Sequence, residues 1–236
     1  MASLWQGWPR RFWSGEAAAL RDITSAGSHQ IRDPRVLLIG GTSHTGKSTV
    51  AQLLSVRLGW LYRPTDKMAR HPGRPWPTPE RPVPPHVAEH YLTLPVADLI
   101  ADVVRHYTVN VWPQVAALAE HHATDPTAGG LIVEGSAVLP ELAADLNVAG
   151  VLSVWLTIDG ALLAERMRAS SQYTTRSARG KALIGKFLAR AQAFNARTEE
   201  ICDRLGLLRV GIIQGETPEQ LAGRCLSALG CPELLD

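Results

Sequence analysis

The sequence predicts an α/β fold: a three-layer sandwich in which a five-stranded parallel sheet is covered by helices on both faces. Two observations predict it. Five short apolar runs alternate with helical patterns along 236 residues. The runs are continuous rather than alternating, as strands buried on both sides must be. The first run also leads straight into a glycine-rich segment that opens a helix, the order in which such sheets build a ligand-binding edge.

The elements follow in chain order. Residues 1–34 read as an N-terminal extension. They read either as a loosely ordered tail or as an amphipathic arm that uses Trp5, Trp8, Phe12 and Trp13 to dock on the body or on the second subunit of a homodimer. Arg10-Arg11-Phe12 faintly resembles an export signal, but Glu16, Arg21 and Asp22 stand where its apolar stretch belongs, so export is not expected. The main domain is expected over 35–236. Val36-Leu37-Leu38-Ile39 is an aliphatic, partly β-branched run and so a buried strand. From Lys47 to Leu58 the apolar residues Val50, Leu53, Leu54 and Leu58 have helical spacing. Trp60 to Tyr62 reads as a second strand. Between Pro64 and Pro85 lie 8 of the chain's 16 prolines. That density forbids helix and ladder pairing, so a stiff, exposed insert is expected over 64–85.

Helical patterns resume from His86 to His122, interrupted at Pro95 and Pro113. Leu131-Ile132-Val133 is a third strand and Val151 to Ile158 a fourth. Asp159 caps a helix running to about Arg168. Residues 169–181 are polar, small and basic, and read as a mobile loop. Ala182 to Leu205 is a long helix and Leu207 to Ile213 a fifth strand. Thr217-Pro218-Glu219-Gln220 is a capping box that opens a last helix, which Gly230 closes.

Composition narrows the function. Apolar residues make up 45% of the chain, charged residues 19%, and the net charge is +2. A protein that coats a polyanion should be far more basic, so no nucleic-acid partner is expected. The longest uncharged apolar run, Val148 to Ile158, has 11 residues, against the about 20 that a membrane helix needs. Three cysteines without a C-x-x-C pair fit a reducing compartment, and a cytoplasmic location is expected.

Gly41-Thr42-Ser43-His44-Thr45-Gly46-Lys47-Ser48-Thr49 contains G-x-x-x-x-G-K-S, the Walker A pattern. Its glycines let the backbone curl so that successive N–H groups point at an anion. The helix that follows adds its positive end. Lys47 would reach the β- and γ-phosphates and the Ser48 hydroxyl would ligate Mg²⁺. No N-K-x-D guanine-reading motif exists in the chain, which favours ATP. Leu131-Ile132-Val133-Glu134-Gly135 ends a strand in a carboxylate at the same sheet edge, where Glu134 would hold a water of the Mg²⁺ or touch an acceptor; its other reading is a capping or surface carboxylate. Asp66, at the end of the second strand, is the candidate to orient or deprotonate an acceptor hydroxyl. Arg70 would share its face if the loop turns helical; the alternative is an N-cap Asp with a solvated Arg.

The run LLIGGTSHTGKSTVAQLLSVRLG, the segment from Thr65 to Arg70 and LIVEGSAVLPEL resemble the P-loop small-molecule kinases. The resemblance is closest to 2-phosphoglycerate kinase-like proteins, with shikimate, gluconate, adenylate and chloramphenicol phosphotransferases more distant. It implies a P-loop NTPase sandwich of the nucleoside-monophosphate-kinase type, ATP and Mg²⁺, transfer of the γ-phosphoryl group to a hydroxyl of a small metabolite or natural product, and a basic lid over the phosphates. Gly41, Lys47, Ser48, Thr49, Asp66, Arg70 and Glu134 match the positions that carry it. The lid is expected at 168–181. Arg166, Arg168, Arg176, Arg179 and Lys181 put five cations within 16 residues, with no acid after Glu165. Arg176 and Arg179 are the preferred pair, with Lys186 and Arg190 weaker. The proline-rich insert would help bind the acceptor through Asp66, Arg70, His71, Arg74 and Trp76, joined by His90. Its cationic excess suits an anionic acceptor, or a flat ring stacked on Trp76. His86-Val87-Ala88-Glu89-His90 has the spacing of an inverted zinc-protease motif, but a third ligand is missing. A slow ATPase of regulatory function and an antibiotic-inactivating phosphotransferase are the other readings.

Overall fold

The computed structural model describes residues 34–69, 73–77 and 82–232; the aromatic arm expected near the N-terminus lies outside them. Its centre is a sheet of five parallel strands in the order β2-β3-β1-β4-β5. These are β1 (Val36–Gly41), β2 (Leu61–Pro64), β3 (Leu131–Glu134), β4 (Val151–Thr157) and β5 (Arg209–Gly211). Val36 of β1 lies opposite both Leu131 and Val151, and Pro64 lies opposite Glu134. The carboxyl ends of β1, β2 and β3 therefore finish at one level, and every loop leaving that level faces the same crevice.

The pleat sorts the two cores. Val36 and Leu38 face Val103, Tyr107, Val111 and Val115. Leu37 and Ile39 face Val50, Ala51 and Leu54 of α1 (Lys47–Leu58) and Leu221 and Leu226 of α8 (Pro218–Ala228). All four β1 side chains are buried, which is why this run lacks polar alternation. A third cluster lies beyond the strand ends. It joins α2 (Pro85–Thr93) and α3 (Val96–His106) to α6 (Gly160–Ser170) and the long α7 (Ala178–Leu205). Two further helices, α4 (Trp112–Thr124) and α5 (Pro140–Asp145), complete the covering layers.

Several expectations shift. Pro113 does not break the chain. A π-helical turn over Tyr107–Val111 precedes it, so α3 runs on into α4 with proline at its start. The wider turn leaves room for a residue without an N–H. The segment expected as a mobile loop over 169–181 is mostly helical. Only residues 171–177 connect α6 to α7, and they include a 3₁₀ turn at Tyr173–Thr175. The Ser177 side chain accepts a hydrogen bond from Gly180 N at 3.2 Å and starts α7 four residues earlier than its apolar pattern suggests. Gln172 takes the left-handed φ of 53° that reverses the chain between them. The proline-rich insert is also not wholly exposed: Pro75 and Trp76 are buried.

Candidate active site

The β1–α1 loop is built as the sequence pattern requires. Gly41 has φ +130°, and a Cβ there would sit 2.4 Å from the Leu156 carbonyl oxygen of β4. Gly46 has φ +86° and opens α1. Thr45 Oγ1 donates to the Thr42 carbonyl at 3.0 Å, and Lys47 Nζ donates to the same oxygen at 3.2 Å, so the lysine folds back over the loop. Thr42 Oγ1 donates to the Ala191 carbonyl at 3.2 Å, which pins the loop to α7. The fold is an α/β sandwich with a glycine loop at the carboxyl end of its central strand.

The loop has a second anchor on α6. His44 sits at φ 66°, unusual for a side-chain-bearing residue. Its Nδ1 is 3.0 Å from Ser43 Oγ and its Nε2 is 2.8 Å from Ser170 Oγ, while Arg166 donates to its carbonyl at 3.1 Å. Burial, then the charges of Arg74, Lys47 and Arg166, push the imidazole pKa down to about 4, so the ring is neutral near pH 7.

Two carboxylates meet the lysine. Burial lowers the Lys47 pKa and Arg74 adds to this, while Glu134 and then Asp66 act to raise it. Glu134 ends β3 and is 4% exposed. Its Oε1 accepts from the Tyr62 hydroxyl at 2.9 Å, and its Oε2 is buried without a hydrogen-bond partner among the described residues. Asp66 lies in a 3₁₀ turn, Thr65–Lys67, directly after β2. That turn is held by a Met68 N–H bond to the Thr65 carbonyl at 3.0 Å, and Gln114 of α4 donates to the Met68 carbonyl at 2.9 Å. Gly135 supports it from beneath: a Cβ there would fall 1.8 Å from Thr65 Oγ1.

Lys47 and Asp66 line a cleft of about 250 Å³. Ser43, His44, Gly46, Lys47, Ser48 and Thr49 form one wall, and Asp66, Arg74, Tyr107, Ser136, Phe187 and Arg190 form the other. Three of the latter had no clear sequence signal. Tyr107 is delivered by the π turn, Ser136 by the β3–α5 loop, where its hydroxyl donates to the Gly41 carbonyl at 3.0 Å, and Phe187 by α7. The sequence places Arg190 only among the lid cations. Its guanidinium stacks 4.7 Å from the Phe187 ring centroid and 5.5 Å from that of Tyr91, and its buried Nε lacks an acceptor among the described residues.

Other predicted site residues lie elsewhere. Trp76 is 3% exposed, its ring edge-on to Phe187 at 5.1 Å, so it is a core anchor and no platform for a flat ligand. His90 lies 3.8 Å from Asp102 and lines a neighbouring cavity of about 170 Å³, which meets the cleft at Arg190. Arg176 donates to the carbonyls of Ser171 at 2.8 Å and Pro77 at 3.2 Å, tying the α6–α7 turn to the insert. Arg179 is exposed on the first turn of α7, and neither arginine lines the cleft. Arg70 and His71 lie outside the described residues.

No family model matches the chain, and no curated protein does. Solved structures do resemble it. A gluconokinase from Sinorhizobium meliloti 1021 is 19% identical with a TM-score of 0.48, over 84% of this chain and 93% of that one. A sugar kinase from Janibacter sp. HTCC2649 is 20% identical with a TM-score of 0.47, over 86% and 99%. A shikimate kinase from Aquifex aeolicus is 14% identical with a TM-score of 0.47, over 85% and 99%. Among the described residues no helix is long and apolar enough to cross a membrane.

Proposed function

We propose that this protein transfers the γ-phosphoryl group of ATP to a hydroxyl of a small anionic acceptor, with Mg²⁺ as the metal. The observation that carries the reading is the convergence on one half-buried lysine of the glycine loop, Glu134 and Asp66, each leaving a different strand at the same level. The loop N–H groups and the Lys47 ammonium would hold the β- and γ-phosphates. A second cavity of about 200 Å³ shares Gly46 and Thr49 with the cleft and reaches Arg166 and Thr217, which gives the nucleoside room.

The metal site has the right donors. Hard oxygens suit Mg²⁺, and the Ser48 hydroxyl with the unpartnered Glu134 Oε2 supply them, directly or through water. When bound, the ion neutralises charge that grows on the phosphate oxygens. On the chain's side, Asp66 would accept the proton of the attacking hydroxyl. The new bond forms from that oxygen to the γ-phosphorus, the bond to the β-bridging oxygen breaks, and ADP departs. Arg190 and Arg74 supply positive charge on the acceptor side of Asp66, and no carboxylate pairs with either among the described residues. That supports an acceptor carrying a carboxylate or phosphate.

The test uses a mixture of metabolites with Mg²⁺ and γ-labelled ATP, with the Lys47→Ala variant as blank. A labelled product absent from the blank is expected, and its acceptor should be an anionic alcohol. Arg190→Ala should then raise the KM for that acceptor more than the KM for ATP. Transfer at the wild-type rate by Lys47→Ala would overturn the mechanism. Release of ADP with no labelled acceptor would favour a slow ATPase, and a neutral or cationic acceptor, such as an antibiotic, would refute the anion reading while keeping the chemistry.

A further inference from the structure

Tyr62 has no role in the mechanism above, yet it occupies the junction of three elements that do. It belongs to β2, an edge strand whose register places Tyr62 opposite Ile132 and Pro64 opposite Glu134. Alternate residues of a strand share a face. Tyr62 and Glu134 are therefore diagonal neighbours on the face that α1 covers, where Ile132 packs with Val50 and Leu54. On α1, Ser48 and Gln52 stand one turn apart and point the same way. Both lie against the Tyr62 oxygen, and the hydroxyl donates to Glu134 Oε1 at 2.9 Å.

This contact divides the two oxygens of Glu134. One is taken by the phenol. The other is buried and unpartnered among the described residues, on a carboxylate whose charge acts on Lys47. A carboxylate left free to rotate would share both oxygens among its neighbours and present neither one to a fixed point. The phenol oxygen donates its one proton to that carboxylate. The same oxygen lies beside Ser48, the residue that would ligate the ion itself.

We infer that Tyr62 is a positioning residue of the divalent-metal site: its hydroxyl fixes Glu134 so that Oε2 faces the metal's coordination sphere, and holds that carboxylate in register with Ser48. The inference rests on the phosphotransferase reading only in taking Ser48 and Glu134 as the metal's donors. Partners of this kind commonly alter metal affinity by about 10–100-fold.

The experiment measures Mn²⁺ binding to the protein–ADP complex by the electron paramagnetic resonance signal of the free ion, beside ADP binding without metal. Tyr62→Phe removes one hydroxyl and keeps the ring that packs on α1. It should weaken Mn²⁺ binding about tenfold and leave metal-free ADP binding unchanged. Glu134→Gln should weaken it at least as much, and the double variant should be no weaker than Glu134→Gln alone, because Tyr62 acts through that carboxylate. A purely structural tyrosine would lower the urea midpoint and leave Mn²⁺ affinity where it was, which would overturn the inference. Additive losses in the double variant would overturn it too. A wild-type protein that binds neither ADP nor Mn²⁺–ADP would instead overturn the phosphotransferase reading beneath it.

Discussion

Gly135 is the position where one added methyl group should damage both the fold and the chemistry. It follows Glu134, has φ +149°, and its missing Cβ would lie 1.8 Å from Thr65 Oγ1, 2.9 Å from Thr65 Cβ and 3.2 Å from Thr65 Cγ2. Gly135→Ala therefore meets two penalties. An L-residue held in that backbone region costs about 1–3 kcal/mol, and forced overpacking costs about 1–3 kcal/mol more. The expected loss of stability is about 2–6 kcal/mol, read from urea unfolding. Thr65 cannot yield without moving the 3₁₀ turn that carries Asp66. A displacement of about an ångström there should cost about a hundredfold in kcat, with nucleotide binding little changed because the β1–α1 loop is untouched. Thr65→Ala in the Gly135→Ala background removes the nearest atom and should restore part of both quantities. Gly59→Ala is the comparison: φ is +64° but nothing lies within 4 Å, so only backbone strain of about 1–2 kcal/mol is expected, with kcat intact. A Gly135→Ala protein as stable and as fast as the parent would refute the placement of this backbone against Thr65.

The neutral imidazole of His44 should make the protein acid-sensitive. The folded state takes up that proton only near pH 4, whereas the unfolded chain takes it up near 6.5, so stability is lost as the pH falls through this window. The ceiling is about 3 kcal/mol, and partial exposure of the ring brings the expected loss to about 1–2 kcal/mol. Urea midpoints at pH 7 and pH 4.5 should therefore differ less in His44→Asn than in the parent, and equal differences would reject the assignment. Trp76→Ala should cost about 3–5 kcal/mol, as for other large buried rings. Trp76→Phe should leave the acceptor KM unchanged. A large rise in KM for a stable Trp76→Phe protein would return this ring to the ligand.

Much of the fold was legible because its signals are local. Four consecutive aliphatic residues at Val36–Ile39 can be satisfied only by a strand covered on both faces, and G-x-x-x-x-G-K-S after such a strand leaves few alternatives. The capping box at Thr217 is complete within four residues, and the structure contains both of its hydrogen bonds. Asp66 and Glu134 were readable as strand-end carboxylates for the same reason. Composition misled where a few specific bonds outweigh it. The polar stretch after Ser170 narrows to a seven-residue turn because Ser177 caps α7 and Gln172 tolerates a left-handed φ. The proline-rich insert is anchored because Trp76 finds Phe187, 111 positions further on in a helix that no local pattern links to it.

The second wall of the cleft shows why the acceptor side resists sequence reading. Asp66, Arg74, Tyr107, Ser136 and Arg190 come from five separate segments, and their spacing carries no motif. What unites them is charge balance. Lys47, Arg74 and Arg190 line the cleft with Asp66, and Glu134 acts on Lys47 from the end of β3, so the cations exceed the carboxylates before any ligand enters. Buried or half-buried charge is costly unless paired, and a positively biased cleft concentrates anions. For Arg190 the bias has a structural expression, since its plane is occupied by two aromatic rings while a buried N–H has no acceptor. Stacking offsets part of the cost of holding a guanidinium there, but a ring face accepts no directed hydrogen bond from its edge. An anionic group on the proposed acceptor would supply both the missing charge and the missing bond. Under the proposed reaction the same side chain would position that acceptor with its hydroxyl toward Asp66, which is why Arg190, more than Arg176 or Arg179, should decide which acceptor is taken.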